Sequence, residues 1–584
     1  MVKEAKEEPK KLKDEEREAF WHSTSHVLAD AVKRLWPSVK LGIGPAIKEG
    51  FYYDFDRKEP FTAEDLVKIE IEMKKIVKEN LKFEQVKMPR KEAEASLKKG
   101  GEKYKLDLLT EIPDKEVSFY KHGEFIDLCK GPVIRYTSQI KAIKLLTTST
   151  AYWKGDSNKP VLHRIYGISF PSQKELDEYL VRQEEIKKRA HKKIGQELEL
   201  FFFDETAPGM AYWLPKGLVI YNTLLDFWRT EHNKRGYHET KTPLLNKKEL
   251  YETSGHWQHY LENMFIIKTK EDETYYLKPM NCPNAMIIYK LRPRSYRELP
   301  LRLSDADAIH RSELSGTLSG LFRVREFQQD DAHIFIKESQ IEEEYKRIFE
   351  IVEKFYSVFN LGYSFRLGTR PKEFMGDSKV WDKAEKILKK ILESSGKKFI
   401  IGEGEGAFYG PKIDILMKDS LDREWQMGTI QLDFQLPQRF NLKYVDDDGR
   451  EKTPVIIHRV IYGSLERFIG ILIENYAGAL PIWISPVQVR ILPIADRHAT
   501  YAEKVKKELD DSGIRVEADN SQSTTEYKIR DASLQKIPFM IVVGDKEEQN
   551  NTVAVRTRED SKVKYGVPLK DFVKEVQKLI KEKK

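Results

Sequence analysis

The stretch that decides this chain runs His310-Arg311-Ser312-Glu313 and then, beyond a loop bearing Gly and Ser, Arg323-Val324-Arg325-Glu326-Phe327-Gln328-Gln329-Asp330-Asp331. It reads Arg-x-Glu, loop, Arg-x3-Phe-x3-Asp. An arginine presents a planar fork that meets phosphate or carboxylate oxygens two at a time, so Arg311 and Arg323 at this spacing can clamp a polyphosphate from two sides. Two residues along a strand share a face, which sets Glu313 beside Arg311 as an acceptor for an amine. One Arg-x-Glu alone is an ordinary surface ion pair and contributes little. The whole spaced set asks for a ligand.

Around that stretch the bulk numbers set limits. At 584 residues the chain is expected to hold three or four domains. A content of 40% hydrophobic and 11% aromatic residues suffices for packed cores. The net charge of +7, from 101 basic against 94 acidic side chains, favours a polyanionic partner only slightly. Two cysteines, Cys129 and Cys282, exclude a disulfide scaffold and point to a reducing cytoplasm. The N-terminal run of Lys and Glu is neither a secretory signal nor a transit peptide. The longest apolar region, Phe468 to Val487, is broken by Glu474, Asn475 and Pro481, so it reads as a buried helix and a strand start, with no membrane span.

Periodicity then predicts the organisation. An amphipathic helix is expected from Phe20 to Leu35, another from Ala63 to Asn80, and a charged helical stretch from Pro171 to about Leu198. The last hundred residues alternate: strands at Val487–Leu492, Ile514–Val516, Phe539–Val543 and Val553–Val555, helices at Tyr501–Leu509 and Tyr527–Gln535, and a closing helix from Leu569. That alternation predicts an α/β domain with a mainly parallel sheet.

The Arg311–Asp331 set resembles motif 2 of the class II aminoacyl-tRNA synthetases. Gly463-Ser464-Leu465-Glu466-Arg467-Phe468 resembles motif 3, and Gly236-Tyr237-His238-Glu239-Thr240-Lys241-Thr242-Pro243 resembles motif 1, the dimer strand. Longer strings narrow the likeness to the threonyl-specific synthetases of bacterial type: Lys278-Pro279-Met280-Asn281-Cys282-Pro283, Gln329-Asp330-Asp331-Ala332-His333, Gly404 to Lys412, and Ile457-His458-Arg459. The likeness runs from about Phe20 to the C-terminus, and implies a chain without the ubiquitin-like module that often precedes the first domain. It implies a multidomain α+β protein: a charged tail (1–16), an α+β editing domain (17–184), a linker helix (185–200), a class II catalytic domain on an antiparallel sheet (201–484) and an α/β anticodon-binding domain (485–584). The implied partners are tRNA(Thr), ATP, L-threonine and a second copy of the chain, with no membrane.

The resemblance further implies that Cys282, His333 and His458 bind one Zn2+. Spacing alone is weak here, since a buried cysteine is usually a small hydrophobe and a lone histidine usually structural. Three protein ligands would leave an open position, the pattern of a working zinc. A hydrophobic pocket separates valine from threonine poorly, whereas a metal ligated by amine and hydroxyl rejects valine. Serine carries both groups, so a correcting site elsewhere is expected. For ATP with Mg2+, the resemblance puts Arg311 on the α-phosphate, Arg467 at the γ-phosphate end, and Arg323 as further phosphate support. Glu313 would meet the adenine amino group, Phe327 would stack on the ring, and Gln426 would lie near the adenylate. Met280, Gln329, Asp331, Tyr409, Gln431 and Ser464 are expected around the amino acid and the tRNA terminus, with Lys412 on the adenylate. Glu547 and Arg556 are expected to read anticodon bases.

His22 and His26 stand at i and i+4, one face of the opening helix. Asp127-Leu128-Cys129-Lys130-Gly131-Pro132 resembles the second half of the family's editing site, which the resemblance assigns to His22, His26, Asp127 and Cys129. The family places a histidine four residues after the cysteine. This chain has Val133, and hydrolysis of seryl-tRNA is expected to persist at reduced rate. Two other readings stand beside the main one: a class II synthetase for another amino acid, such as proline or serine, and a catalytically silent tRNA-binding paralogue. The zinc-position residues argue against the first, the intact Arg311, Arg323 and Arg467 against the second.

Overall fold

A computed structural model describes residues 14–156, 158–560 and 562–584. The expected charged tail falls outside these for residues 1–13, and Asp14–Glu16 already belong to the first helix. The chain divides into two compact units, Met1–Glu185 and Ile186–Lys584.

In the first unit, α1 (Asp14–Leu35) buries Phe20, Trp21, Val27, Leu28, Ala31 and Val32, an i, i+4, i+7 stripe over the core. Some of its buried polar groups are tied down locally: Ser23 and Thr24 hydroxyls donate to the Ala19 and Phe20 carbonyls, and Trp21 donates to the Ser169 carbonyl at 3.0 Å. The helix lies on an antiparallel sheet built from β1 (Gly50–Asp56), β5 (Ala142–Tyr152) and β6 (Val161–Phe170), ordered β1-β6-β5, with two short strands against β1. Between β1 and β5 the chain forms α2 (Ala63–Lys78), closed by a Thr62–Asp65 capping box. There follow β2 (Glu84–Pro89), α3 (Lys103–Glu111), β3 (Glu116–His122) and β4 (Phe125–Leu128), the three strands making a second antiparallel sheet.

The second unit is organised by an eight-stranded sheet. In chain order its elements are α4 (Pro215–Asn233), β7 (Tyr237–Glu239), α5 (Cys282–Tyr289), β8 (Leu301–Asp305), the hairpin β9 (Ala308–His310) and β10 (Glu326–Gln328), β11 (Asp331–Ile336), α6 (Ile341–Ser357), β12 (Tyr363–Gly368), α7 (Ser378–Ser395), β13 (Phe399–Gly402), β14 (Lys412–Lys418), β15 (Glu424–Asp433), β16 (Val455–Val460) and α8 (Leu465–Asn475). The strand order is β7-β8-β11-β16-β15-β14-β12-β13. Pairing is antiparallel except at the two ends, β7 with β8 and β13 with β12. Central strands β11 and β16 are buried almost throughout, so an apolar run is required there, and the polar exceptions Asp331, His333, His458 and Arg459 mark the site.

The C-terminal elements are β17 (Val489–Pro493), α9 (Ala499–Asp511), β18 (Val516–Ala518), α10 (Thr525–Leu534), β19 (Phe539–Val543), α11 (Asp545–Asn550), β20 (Thr552–Thr557), β21 (Val563–Pro568) and α12 (Leu569–Glu582). Their sheet runs β18-β17-β19-β20-β21, parallel over its first two pairs and antiparallel over the rest. The expected mainly parallel sheet is therefore half antiparallel, because β19, β20 and β21 follow one another without a long crossover helix. The strand expected at 514–516 begins at Val516, since Ile514 is drawn into the core under α9. The expected linker helix at 185–200 is two helices, Gln173–Lys188 and His191–Glu197. The second is pinned by His191, whose backbone N–H donates to Glu474 at 2.9 Å. The boundary expected at 484/485 lies within one compact unit. Arg515 donates to the Ser485 and Trp483 carbonyls there, and Arg558 to that of Leu480.

Candidate functional sites

The sheet register builds the central site. Directly opposed residues on neighbouring antiparallel strands share a face, and Leu303, His333, His458, Gln431 and Lys412 form one such row across β8, β11, β16, β15 and β14. Cys282, the first residue of α5, closes on this row. One ligand atom each from Cys282, His333 and His458 lies within 4.8 Å of the others, and the two imidazoles cross edge to face at 5.0 Å. Asp433, two residues beyond Gln431 on the same face, sits 2.9 Å from His458 Nε2, which leaves Nδ1 for a ligand. His458 Nδ1 and His333 Nε2 are both buried without a hydrogen-bond partner among the described residues. Burial keeps His333 neutral by pushing its pKa well down, and pushes the Cys282 thiol up, so only a bound cation would hold that sulfur as thiolate. Two orphaned imidazole nitrogens and one sulfur, oriented by a carboxylate behind, fit zinc.

Around the triad, Asn281 donates to Asp331 at 3.2 Å, and burial raises the Asp331 carboxyl to about 6. The Tyr409 hydroxyl donates to Gln431 Oε1. Met280 Sδ lies 3.2 Å from His256 Nε2. Lys412 pairs with Asp414 at 3.0 Å, and Gln426 donates to the same carboxylate at 2.9 Å. The expected amino-acid side of the site is thereby contiguous, and Lys412 and Gln426 meet on Asp414.

The arginine side differs from expectation in one respect. The strand β9 ends at His310, so Arg311 and Glu313 stand in a loop and share no strand face. Glu313 turns back to take Arg323, Nε to Oε2 at 3.0 Å, because the two loop limbs converge beyond the hairpin. Arg311 lies over the Phe327 ring at 5.0 Å. Phe327 itself is packed with Ile309 and Val324 and is only 7% exposed, so its ring underlies the guanidinium. Ser464 caps α8 by accepting the Arg467 N–H at 3.1 Å and bridges to Gln329. Arg467 is largely buried with Nε unpartnered among the described residues, and burial together with Arg323 lowers its pKa. Sequence reasoning missed Asp330, whose fully buried carboxylate accepts the N–H groups of Ile461, Tyr462 and Gly463. It thereby ties the end of the Arg323 segment to the turn that presents Arg467. Burial pushes its pKa to about 7.

A second site occupies the first unit. His22 and His26 on α1 have rings 5.0 Å apart, and Cys129 Sγ lies 3.4 Å from His22 Nε2. Asp127 at the end of β4 receives Tyr53 Oη at 2.6 Å, pairs with Lys105 Nζ at 2.6 Å, and approaches His26 Nδ1 at 3.2 Å. Burial opposes ionisation of Asp127, yet Lys105 and His26 hold its carboxyl far below the usual range. Burial would lower His26, but Asp127 and Cys129 raise it to about 9. Burial would raise Cys129, but His22 and His26 bring it to about 6. Lys105 and Tyr53 were not foreseen. Both are buried polar groups on α3 and β1, and no local spacing links them to Asp127. His22, His26, Lys105, Asp127 and Cys129 line a cavity of about 950 Å³ with Gly44, Lys130 and Gly131. Val133 packs instead against the apolar core of its unit.

In the C-terminal elements Arg556 lies on β20, between Met540 and Val563. Glu547 lies on the helix α11, whose N-terminus it closes by accepting the Gly544 N–H at 3.1 Å.

The comparisons match this layout. The class II core family of synthetases for G, H, P, S and T matches residues 265–476. The anticodon binding domain matches 488–579, and the threonyl and alanyl tRNA synthetase second additional domain matches 117–166. A threonine–tRNA ligase of Acetivibrio thermocellus is 51% identical over 97% of this chain and 89% of its own length. The chain belongs to the threonine–tRNA ligases. A second ligase of this family, from Carboxydothermus hydrogenoformans, is 50% identical over 98% of the chain and 90% of its length. A solved structure titled as the RNA binding domain of threonyl-tRNA synthetase from Cryptosporidium parvum is 42% identical with a TM-score of 0.65. It covers 67% of this chain and 98% of its own. The chain thus carries a class II core, an anticodon-binding domain and the second additional domain. Among the described residues no helix is long and apolar enough to cross a membrane.

Proposed function

We infer that this chain joins L-threonine to tRNA(Thr) at the expense of ATP, selects threonine through zinc, corrects seryl-tRNA in its first unit, and works as a homodimer. The observation that carries the selection is the convergence of Cys282, His333 and His458 beside Asp331, Tyr409 and Gln431. When bound there, zinc supplies a Lewis acid for the amine and hydroxyl of threonine, which valine cannot satisfy. Asp433 and Asn281 orient His458 and Asp331. Arg311 and Arg467 clamp the α- and γ-phosphates of MgATP, and Arg323 leaves Glu313 to take the outer phosphates as Glu313 meets the adenine amine. Activation is then in-line attack of the threonine carboxylate on the α-phosphate, a step of positioning and charge stabilisation that needs no strong base. Lys412 and Gln426 hold the adenylate, and Met280, Gln329, Gln431 and Ser464 frame the amino acid and the tRNA terminus. Glu547 and Arg556 read anticodon bases.

Because serine satisfies the same two ligand positions, the second site is the corrector, with His22, His26, Asp127 and Cys129 around the seryl ester. Its family's histidine is Val133 here, so the rate is reduced. ATP–pyrophosphate exchange across the amino acids tests the whole reading: exchange with threonine supports it, and exchange with proline alone, or none, refutes it. Cys282→Ser and His458→Ala are expected to lose zinc and threonine activation together. A metal-free preparation that activates threonine fully would remove the zinc from the account.

A further inference from the structure

Of the exposed tyrosines among the described residues, Tyr565 stands furthest out, at 77%. A single exposed ring is ordinary, so its placement is what matters. It lies on β21, the edge strand of the C-terminal sheet, beside β20. The register sets Val563 opposite Arg556 and Lys564 opposite Val555. Val567 then opposes Val553, so Tyr565 and Gly566 together face Ala554 in a bulge, where Gly566 takes a φ of +64°. Side chains alternate along a strand, and two residues on from Val563 the Tyr565 ring returns to the face of Arg556. Pro568, at the end of β21, opposes Thr552, with which β20 begins just after α11. Along this face the order is therefore Arg556, then Tyr565, then the helix that carries Glu547. The helix α10 does not reach them. Met540 and Val542, the β19 partners of Arg556 and Ala554, join Leu492, Ile529 and Ala532 in the apolar cluster under α10, to which β20 and β21 add nothing among the described residues. Positive charge flanks the ring, from Arg556 across the strands and Lys564 next in the chain.

We propose that Tyr565 is a stacking platform for an unpaired base of the tRNA anticodon loop. This assignment rests on the reading of Glu547 and Arg556 as contacts to base edges, and adds to it a residue of a different kind. Every base presents a flat π-face, and a tyrosine ring with cations at its sides holds that face whatever the base. A forked donor such as Arg556 has the opposite need, a base already splayed from its neighbours so that its edge is open. A ring beside the guanidinium keeps one base out of the stack and leaves that edge to Arg556. An exposed ring on an edge strand also invites pairing with another chain, which charged residues normally guard against. A base lying over Tyr565 covers that surface.

The test uses the full chain and a tRNA(Thr) transcript. Tyr565→Ala is expected to raise KM for the transcript about 10-fold at unchanged kcat. Tyr565→Phe should match the parent, because the ring and not the hydroxyl makes the contact. In Tyr565→Trp, an isolated anticodon stem-loop should quench tryptophan emission beyond the quenching seen in the parent. Arg556→Ala, measured in parallel, separates the platform from the reading beneath it. If Arg556→Ala raises KM and Tyr565→Ala does not, the platform falls and the anticodon reading stands. If neither raises it, both fall. A rise in Tyr565→Ala alone keeps the platform and removes Arg556. A Tyr565→Phe chain as weak as Tyr565→Ala overturns the platform too, since a ring would then not be what the tRNA meets.

Discussion

Glu466 precedes Arg467 on α8 and is buried against Tyr221 on α4 and Gln328 on β10, both of which donate to it, with Glu326 near. Burial raises its pKa from 4.5 to about 8. A folded-state value above the unfolded one means that the stabilisation is complete below about pH 4.5 and is lost as pH rises towards 8. Glu466→Gln should therefore show a flatter decline of urea midpoint between pH 5 and 8 than the parent, and equal slopes would show the group is not protonated on folding. At the second site, Val133→His is expected to speed seryl-tRNA deacylation and Cys129→Ala to slow it. A parent no faster than the uncatalysed reaction would make that unit a tRNA support only. Arg556→Ala should raise KM for tRNA(Thr) while leaving pyrophosphate exchange untouched. That Cys282, His333 and His458 belong together was legible because each sits in a long string, and folding brings their donor atoms to one place. Asp330, Asp433, Tyr53 and Lys105 were not. Each acts through a partner that only folding brings near, as when Asp330 meets backbone groups of residues 461–463.

At the level of elements, strand β15 passes so close to β16 that a Cβ on Gly428 would stand 2.3 Å from the Val460 carbonyl oxygen. Gly428→Ala should cost about 1–3 kcal/mol in urea unfolding, and because the displaced backbone leads into the turn held by Asp330, KM for ATP should rise as well. An unchanged KM would uncouple that turn from ATP. Helices were read well from periodicity: α2 begins at Ala63 and α12 at Leu569, as expected. Failures came where a tertiary contact overrode the pattern. The charged stretch before residue 200 reads as one helix until His191 is drawn into the Glu474 pocket.

On the scale of the whole molecule, the class II architecture was visible in the order of three motifs, while the mixed C-terminal sheet was hidden because alternation does not reveal strand direction. The dimer expectation rests on motif 1, the edge strand β7 that runs parallel to β8. Light scattering at micromolar concentration should give about twice the 68.4 kDa chain mass, and a lone chain mass would dismiss it. The opposition of His333 and His458 across β11 and β16 carries one more consequence. A strand that pairs one residue out of step turns every side chain to the other face, so a mispaired copy would lose an imidazole from the triad along with its shape. On the proposed zinc reading, such a copy would hold no metal. Pairing errors in this sheet would then be countable as chains short of zinc.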